Sequence, residues 1–269
     1  MPTFDPTQRN ANTIAVITGG SQGLGLAVAR QLMAEGCTKL ALAARSKDVG
    51  EAAATALCDE GADVIFVKTD MIKPDDTKAL IDATVAHFGD VNALVNCAAT
   101  TERGTLEATT PEVFDRIFAV NVRGSFFAMQ AFTNHCLTVG HGGSVVNILS
   151  TERHCGKPFL SPYSGSKAAM ATITKNAANA FKDKRIRFNA VAPGWMDTPA
   201  ESKIQQEFHG APDDWLEKAE AEQSFGQLIK PEECAGLIAY LVSPQGGVMT
   251  GACIDHDQHV IGAVPEMSA

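Results

Sequence analysis

Two kinds of segment alternate along the chain, and this alternation constrains the fold more than any other feature. Short β-rich runs lie at 13–18, 39–44, 63–67, 92–95, 144–149 and 186–191, with a weaker one at 252–254. Between them run longer segments with helical spacing, at 24–35, 49–59, 74–88, 111–138, 162–182 and 231–242. A strand reached through a helical crossover pairs in parallel, because a tight hairpin joins only antiparallel neighbours. The runs show little period-2 alternation, as expected for strands covered on both faces. The expected fold is one doubly wound α/β domain of about seven parallel strands flanked by helices on both faces. Residues 1–12 form a polar N-terminal extension and 13–269 the domain, undivided by any Pro/Gly/Ser-rich linker or internal repeat.

Composition narrows the function classes. With 45% apolar and 20% charged residues the chain is not disordered as a whole, and its 269 residues suffice for a sizeable core. A formal net charge of −9 gives it no electrostatic reason to bind nucleic acid or an anionic membrane. No apolar run approaches the roughly 18 residues of a membrane span, and the first residues lack an apolar signal-peptide core. The cysteines number seven, with no C-x-x-C pair, which argues for a reducing cytoplasm rather than a disulfide framework.

The first β-rich run ends in Thr18-Gly19-Gly20-Ser21-Gln22-Gly23-Leu24-Gly25 and leads straight into a helix. Glycines permit a tight turn and close approach to a ligand, and a helix start offers free N–H groups and a positive dipole end to a pyrophosphate. A glycine-rich turn between strand and helix is the context of a dinucleotide site in a Rossmann-type fold. The second run ends in Ala43-Ala44-Arg45-Ser46. An acidic residue there would bind both ribose hydroxyls; Arg45 instead fits a 2′-phosphate, so NADP(H) is expected in preference to NAD(H). Asp70, after the third run, either meets the adenine edge or caps the helix near Pro74.

Tyr163 and Lys167 form Y-x-x-x-K on an expected helix, and i, i+4 spacing puts them on one face. A nearby ammonium, and an oxidised nicotinamide, would lower the phenol pKa and let it exchange a proton with a substrate hydroxyl. Ser150, at the end of the fifth run, can donate to a substrate oxygen. Asn121 sits in an apolar helix, where a polar amide is either a satisfied core group or a functional one.

On these residues the chain resembles the short-chain dehydrogenase/reductase family, from about Thr13 to about Asp255. The 18–25 loop matches the family's T-G-x-x-x-G-x-G, and Ser150, Tyr163 and Lys167 match its catalytic triad, with Asn121 as the fourth member. Pro193, Gly194 and Thr198 match the P-G-x-x-x-T segment that lines the nicotinamide. Asn96-Cys97-Ala98-Ala99 departs from N-N-A-G, and one extra residue precedes the second strand. The resemblance implies that Asn121 holds a water beside Lys167, that Lys167 also holds the nicotinamide ribose, and that the protein is a homo-oligomer, a tetramer. It implies a cofactor site of Gly19, Ser21, Gln22, Gly23, Leu24, Gly25, Arg45, Ser46, Asp70, Met71, Asn96, Ala98, Tyr163, Lys167, Pro193, Gly194, Met196 and Thr198.

The remaining features concern the substrate. Glu152, Arg153 and His154 follow Ser150 and either bind a hydroxylated or anionic substrate or face solvent. Trp195 and Met196 either wall the pocket or pack beneath a lid. Residues 198–224 carry seven acids against Lys203 and Lys218 and form either a substrate lid or a solvated excursion. Asp255-His256-Asp257-Gln258-His259 lacks partners at ligand spacing, so no metal is expected there; the resemblance implies that the segment packs at a subunit interface. The expected activity is NAD(P)-dependent interconversion of a polar secondary alcohol, such as a sugar or polyol, and its carbonyl. The alternatives are a 3-oxoacyl-(acyl-carrier) reductase, disfavoured by the acidic insertion, and a non-catalytic dinucleotide sensor, which needs no proton relay.

Overall fold

A computed structural model of the protein describes residues 5–263. Seven strands, β1 (Ile14–Thr18), β2 (Lys39–Ala44), β3 (Asp63–Lys68), β4 (Ala93–Asn96), β5 (Gly143–Ile148), β6 (Ile186–Pro193) and β7 (Cys253–His256), form one sheet in the order β3-β2-β1-β4-β5-β6-β7. Every pairing is parallel. The chain winds outward from β1 to β3, then restarts at β4 on the other side of β1. That reversal opens a crevice at the carboxyl ends of β1 and β4.

The helices are α1 (Gly23–Ala34), α2 (Lys47–Asp59), α3 (Pro74–Phe88), α4 (Pro111–Phe118), α5 (Ser125–Val139), α6 (Ser161–Phe181), α7 (Pro199–Glu207), α8 (Trp215–Ala221) and α9 (Pro231–Val242). Alternate strand residues face opposite layers. Ala15, Ile17, Leu40 and Leu42 pack with Val28, Leu32, Leu57 and Ile238 on one side. Val16, Ala41 and Ala43 pack with Leu80, Phe132, Met170 and Phe188 on the other. This double cover explains the unalternating runs, since each fully buried large side chain contributes roughly 1.5–3 kcal/mol. Local signals set the helix ends: α3 starts at Pro74 with Asp75 and Asp76 in its first turn and stops at left-handed Gly89 (φ 84°). Among the described residues no helix is long and apolar enough to cross a membrane.

Three segments differ from expectation. The helix expected over 111–138 is interrupted between α4 and α5 by a π turn, Ala119–Gly124, that contains Asn121. There the chain approaches so closely that a Cβ on Gly124 would strike the Met71 carbonyl oxygen. The end of the N-terminal extension is built into the domain: Asn10 is fully buried, and its amide donates to Glu35 Oε2 (2.6 Å) and the Ala239 carbonyl (3.2 Å). Residues 1–4 lie outside the described residues. The acidic insertion folds into α7 and α8, which are held differently. α7 buries no residue. In α8, Trp215 and Ala219 pack with Leu228, and Trp215 tilts against Trp195 at 6.2 Å. A solvated excursion, one of the two expectations for the insertion, therefore does not describe α8.

Candidate active site

A cleft of about 650 Å³ lies at the carboxyl edge of the sheet where the strand order reverses. Gly19, Ser21, Gln22, Gly23, Leu24, Gly25, Arg45, Ser46, Asp70, Met71, Ala98 and Thr198 all line it. Close packing requires two of the glycines. Gly19 has φ 68°, and its Cβ would stand 2.9 Å from the Ala98 amide nitrogen. A Cβ on Gly25 would strike the Gly19 carbonyl oxygen. A bare backbone loop pressed onto the start of α1 fits a dinucleotide pyrophosphate. Thr198 caps α7, its hydroxyl accepting from Glu201 N at 3.1 Å. Asp70 Oδ1 accepts from Ile72 N (3.1 Å), so the carboxylate shapes the turn before α3 while lining the cleft.

Six of the expected cofactor residues, Asn96, Tyr163, Lys167, Pro193, Gly194 and Met196, lie outside that lining. Asn96 is buried and donates to Asn147 Oδ1 (2.9 Å), bracing β4 to β5. Pro193 ends β6 at its register with His256. The Gly194 amide donates to the His256 carbonyl (3.0 Å), and a Cβ on Gly194 would strike the Asp257 carboxylate. Met196 bridges to Ile229 and packs on the core. Sequence reasoning missed Glu102 and Arg116, which line the cleft too. Their bidentate pair (Arg116 Nε and Nη2 to Glu102, 2.7 Å each) lies close enough to Arg45 for all three charges to interact. No local sequence pattern marks that pair.

Tyr163 and Lys167 stand on one face of α6, with Lys167 Nζ 5.7 Å from the phenol ring centroid. Lys167 Nζ donates to the Ile148 carbonyl (2.7 Å) and acts on the thiol of Cys97, which lines the cleft. Ser150 ends the β5 segment, its Oγ accepting from Glu152 N at 3.2 Å, and its hydroxyl faces the phenol of Tyr163. Asn121 braces this group. It accepts from Thr100 N (2.8 Å) and donates to the Thr100 carbonyl and to Ser166 Oγ (3.0 Å each). Both N–H donors of its amide are thereby used. Ser166, which sequence reasoning passed over, donates onward to the Tyr163 carbonyl at 2.6 Å.

The electrostatics correct one expectation. Burial pushes the Tyr163 phenol up to about 12; Ser150 and Arg103 pull it down, and Glu152 and Glu201 add to the rise. Burial pushes Lys167 down to about 8. Lys167 keeps most of its charge at neutral pH, yet it does not offset the burial of its neighbour, so the chain alone leaves the phenol neutral.

The substrate side is also rearranged. Arg153 Nη2 pairs with Asp255 Oδ1 (2.8 Å) and His154 Nε2 with Asp255 Oδ2 (2.9 Å), so both side chains tie the post-β5 turn to β7 rather than facing a substrate. Burial opposes ionisation of Asp255, but these two partners outweigh it and hold its pKa below the usual range. Glu152 accepts from Lys157 N (2.8 Å) and acts on Tyr163. Trp195 donates to Glu201 Oε1 (2.9 Å) and lies under Lys157 and against Trp215, beneath the insertion. Beside this region Arg103, Thr105, Val113, Phe159 and Phe208 line a pocket of about 210 Å³. Arg103 was not expected; its side chain is 9% exposed, 4.0 Å from Glu201, and stacks over Phe159 at 5.6 Å.

Comparison with known proteins agrees with this architecture. Residues 19–258 match the family described as enoyl-(acyl carrier protein) reductase. The chain is 33% identical to an NADP-dependent (R)-specific alcohol dehydrogenase of Lentilactobacillus kefiri, over 91% of this chain and 95% of that protein. It is 32% identical to dehydrogenase/reductase SDR family member 4 of Mus musculus, over 92% of this chain and 88% of that one. The crystal structure of a variant actinorhodin polyketide ketoreductase with NADPH superposes with a TM-score of 0.84 at 26% identity, covering 90% of this chain and 95% of that structure.

Proposed function

We propose a specific reaction for this chain, which belongs to the short-chain dehydrogenase/reductase family of oxidoreductases. It interconverts a small polar secondary alcohol and its carbonyl, with NADP(H) preferred over NAD(H). The observation that carries this reading is the convergence of Ser150, Tyr163 and Lys167, from two separate elements, beside a glycine-lined cleft. A bound nicotinamide dinucleotide would donate or accept the hydride. The loop at 19–25 would hold its pyrophosphate, Arg45 and Ser46 its adenosine ribose, and Thr198 and Lys167 its nicotinamide end.

The chain's own groups manage the proton. Ser150 Oγ accepts from Glu152 N, and its hydroxyl, which faces the Tyr163 phenol, would turn to polarise a substrate oxygen. The neutral phenol of Tyr163 is the form that donates a proton as a carbonyl is reduced. For oxidation it must first ionise, and positive charge brought into the buried site favours that. Arg103, walling the small pocket beside Tyr163, is suited to bind a hydroxyl or carboxylate at the far end of the substrate. The preference for NADP(H) is supported by Arg45 and Arg116 standing at one end of the cleft against a single carboxylate, Glu102.

Tyr163→Phe is expected to lower kcat at least ~10²-fold while coenzyme binding persists, read by a coenzyme-coupled absorbance assay and by coenzyme fluorescence. Near-normal turnover in the variant removes the phenol from the mechanism. Arg45→Ala should weaken NADP(H) by roughly 1.5–3 kcal/mol and NAD(H) far less. Equal losses, or a wild-type preference for NAD(H), contradict the 2′-phosphate assignment.

Within the insertion at 198–224, α7 rather than α8 is assigned the closing motion. It buries nothing, and Phe208, just past its end, is 60% exposed while forming a wall of the small pocket. α8 is pinned by Trp215, and Glu220 binds Lys230 at 2.6 Å. Hydrogen exchange in 199–208 should be fast in the free protein and slow once coenzyme and substrate are added, with 215–221 protected throughout. Equal protection of 199–208 in both states makes it a fixed element.

A further inference from the structure

A cluster remote from the cleft brings together three groups that neither the fold nor the proposed reaction uses. Asp90 lies in the α3–β4 connection, His135 near the end of α5 and His141 in the α5–β5 connection. They meet at the amino ends of β4 and β5, the opposite edge of the sheet from the cleft. Both imidazoles aim Nε2 at the same carboxylate oxygen: His135 at 2.7 Å and His141 at 2.9 Å from Asp90 Oδ1. One donor atom from each residue falls within 4.8 Å of the other two.

The hydrogen bonding behind these atoms shows what they need. His141 Nδ1 lies 2.7 Å from the Gly142 carbonyl oxygen, which can only accept, so Nδ1 carries the ring proton. In neutral His141 the Nε2 lone pair then points straight at a carboxylate, one acceptor facing another. Either a proton on Nε2, which the neighbouring Asp90 favours, or a metal cation in its place removes the conflict. A backbone carbonyl behind the outer nitrogen is also how metal-bound histidines are held in the right tautomer and orientation. Asp90 Oδ1 is fixed in turn by Val91 N at 2.7 Å. The donor separations are compatible with a common ion after small shifts, since ligands about 2.0–2.1 Å from zinc stand ~2.9–3.4 Å apart. The side chains of His135, His141 and Asp90 are 13%, 29% and 33% exposed, so the site is held by the fold yet open to water for the remaining positions. Cys136, next in sequence to His135, is fully buried in the core and is not part of the set.

We propose that Asp90, His135 and His141 form a site for a divalent transition metal of the zinc class, with water completing its coordination. Two imidazoles and one carboxylate favour zinc, cobalt, nickel or copper over magnesium or calcium. The site stands roughly 20 Å or more from the reacting groups, by about 3.3 Å per strand residue along β5. Its role is to clip the α3–β4 and α5–β5 connections together, so the metal acts on stability and not on hydride transfer.

The test uses the full-length protein, stripped with a chelator and titrated separately with Zn2+ and Co2+. The expected results are about one Zn2+ bound per chain at micromolar or lower concentration and a thermal midpoint that rises with Zn2+. Bound Co2+ should show nitrogen/oxygen ligand-field bands without a thiolate charge-transfer band. His141→Ala and His135→Gln should each lower affinity at least ~100-fold, with coenzyme binding retained as the sign of an intact fold. The proposal is overturned if the wild-type protein binds neither ion below ~1 mM. It is equally overturned if both folded variants bind undiminished, or if a thiolate band assigns the ion to cysteine. Should the variants misfold, the wild-type stoichiometry and cobalt spectrum still decide.

Discussion

Asn121 joins three parts of the chain through one side chain: the loop after β4 at Thr100, the π turn between α4 and α5, and α6 at Ser166. The residue is 2% exposed, so each of these hydrogen bonds left unmade would cost about 1–3 kcal/mol. Ser166 passes the constraint to the Tyr163 carbonyl, and Thr100 lines the glycine-lined cleft. The turn of helix that carries the phenol is therefore fixed relative to the cleft wall. The π turn places Asn121 between the two, in a position that a search for regular helical spacing does not reveal. A deeper chain, Asn96 to Asn147 to Thr174, ties β4, β5 and α6 in the same way beneath it.

Burial and charge oppose each other at the reacting centre. Apolar packing raises the phenol and depresses the lysine, so without a ligand the phenol stays neutral while the lysine keeps most of its charge at neutral pH. Arg103 and Ser150 act against the rise in Tyr163, while Glu152 and Glu201 reinforce it. Glu201 lies at the start of α7 and also holds Trp195 and Gln205. In the proposed reaction, movement of α7 would therefore change both the shape of the small pocket at Arg103 and Phe208 and the field at the phenol, and so couple closure to proton transfer.

The parts of this architecture that depend on neighbouring residues were legible in the sequence. Strand–helix alternation gives the parallel sheet, the turn at 18–25 gives the glycine-rich loop that lines the cleft, and i, i+4 spacing puts Tyr163 and Lys167 on one face. The parts that depend on distant contacts were not. Arg153 and His154 follow Ser150 directly, yet their partner Asp255 is supplied by β7, from the far end of the chain. Glu102 and Arg116 meet across the start of a helix, and Arg103 enters the site from a loop with no motif. Asp90, His135 and His141 become neighbours only because β4 and β5 pair in register and bring their preceding connections together. Asn96 was placed at the cofactor by resemblance, but its side chain turns into the sheet.

In the proposed reaction the cleft positions a nicotinamide for direct hydride transfer to a carbonyl carbon beside Tyr163. Isotope tracing tests it most directly, once a turnover substrate has been found by a coenzyme-coupled screen of polar ketones. Reduction with NADPH carrying deuterium on the transferred face of C4 should give an alcohol with deuterium at its carbinol carbon. The same reaction with unlabelled NADPH in D2O should leave that carbon free of deuterium. Carbinol deuterium drawn from the solvent, or NADPH consumed without label reaching the product, would contradict the account.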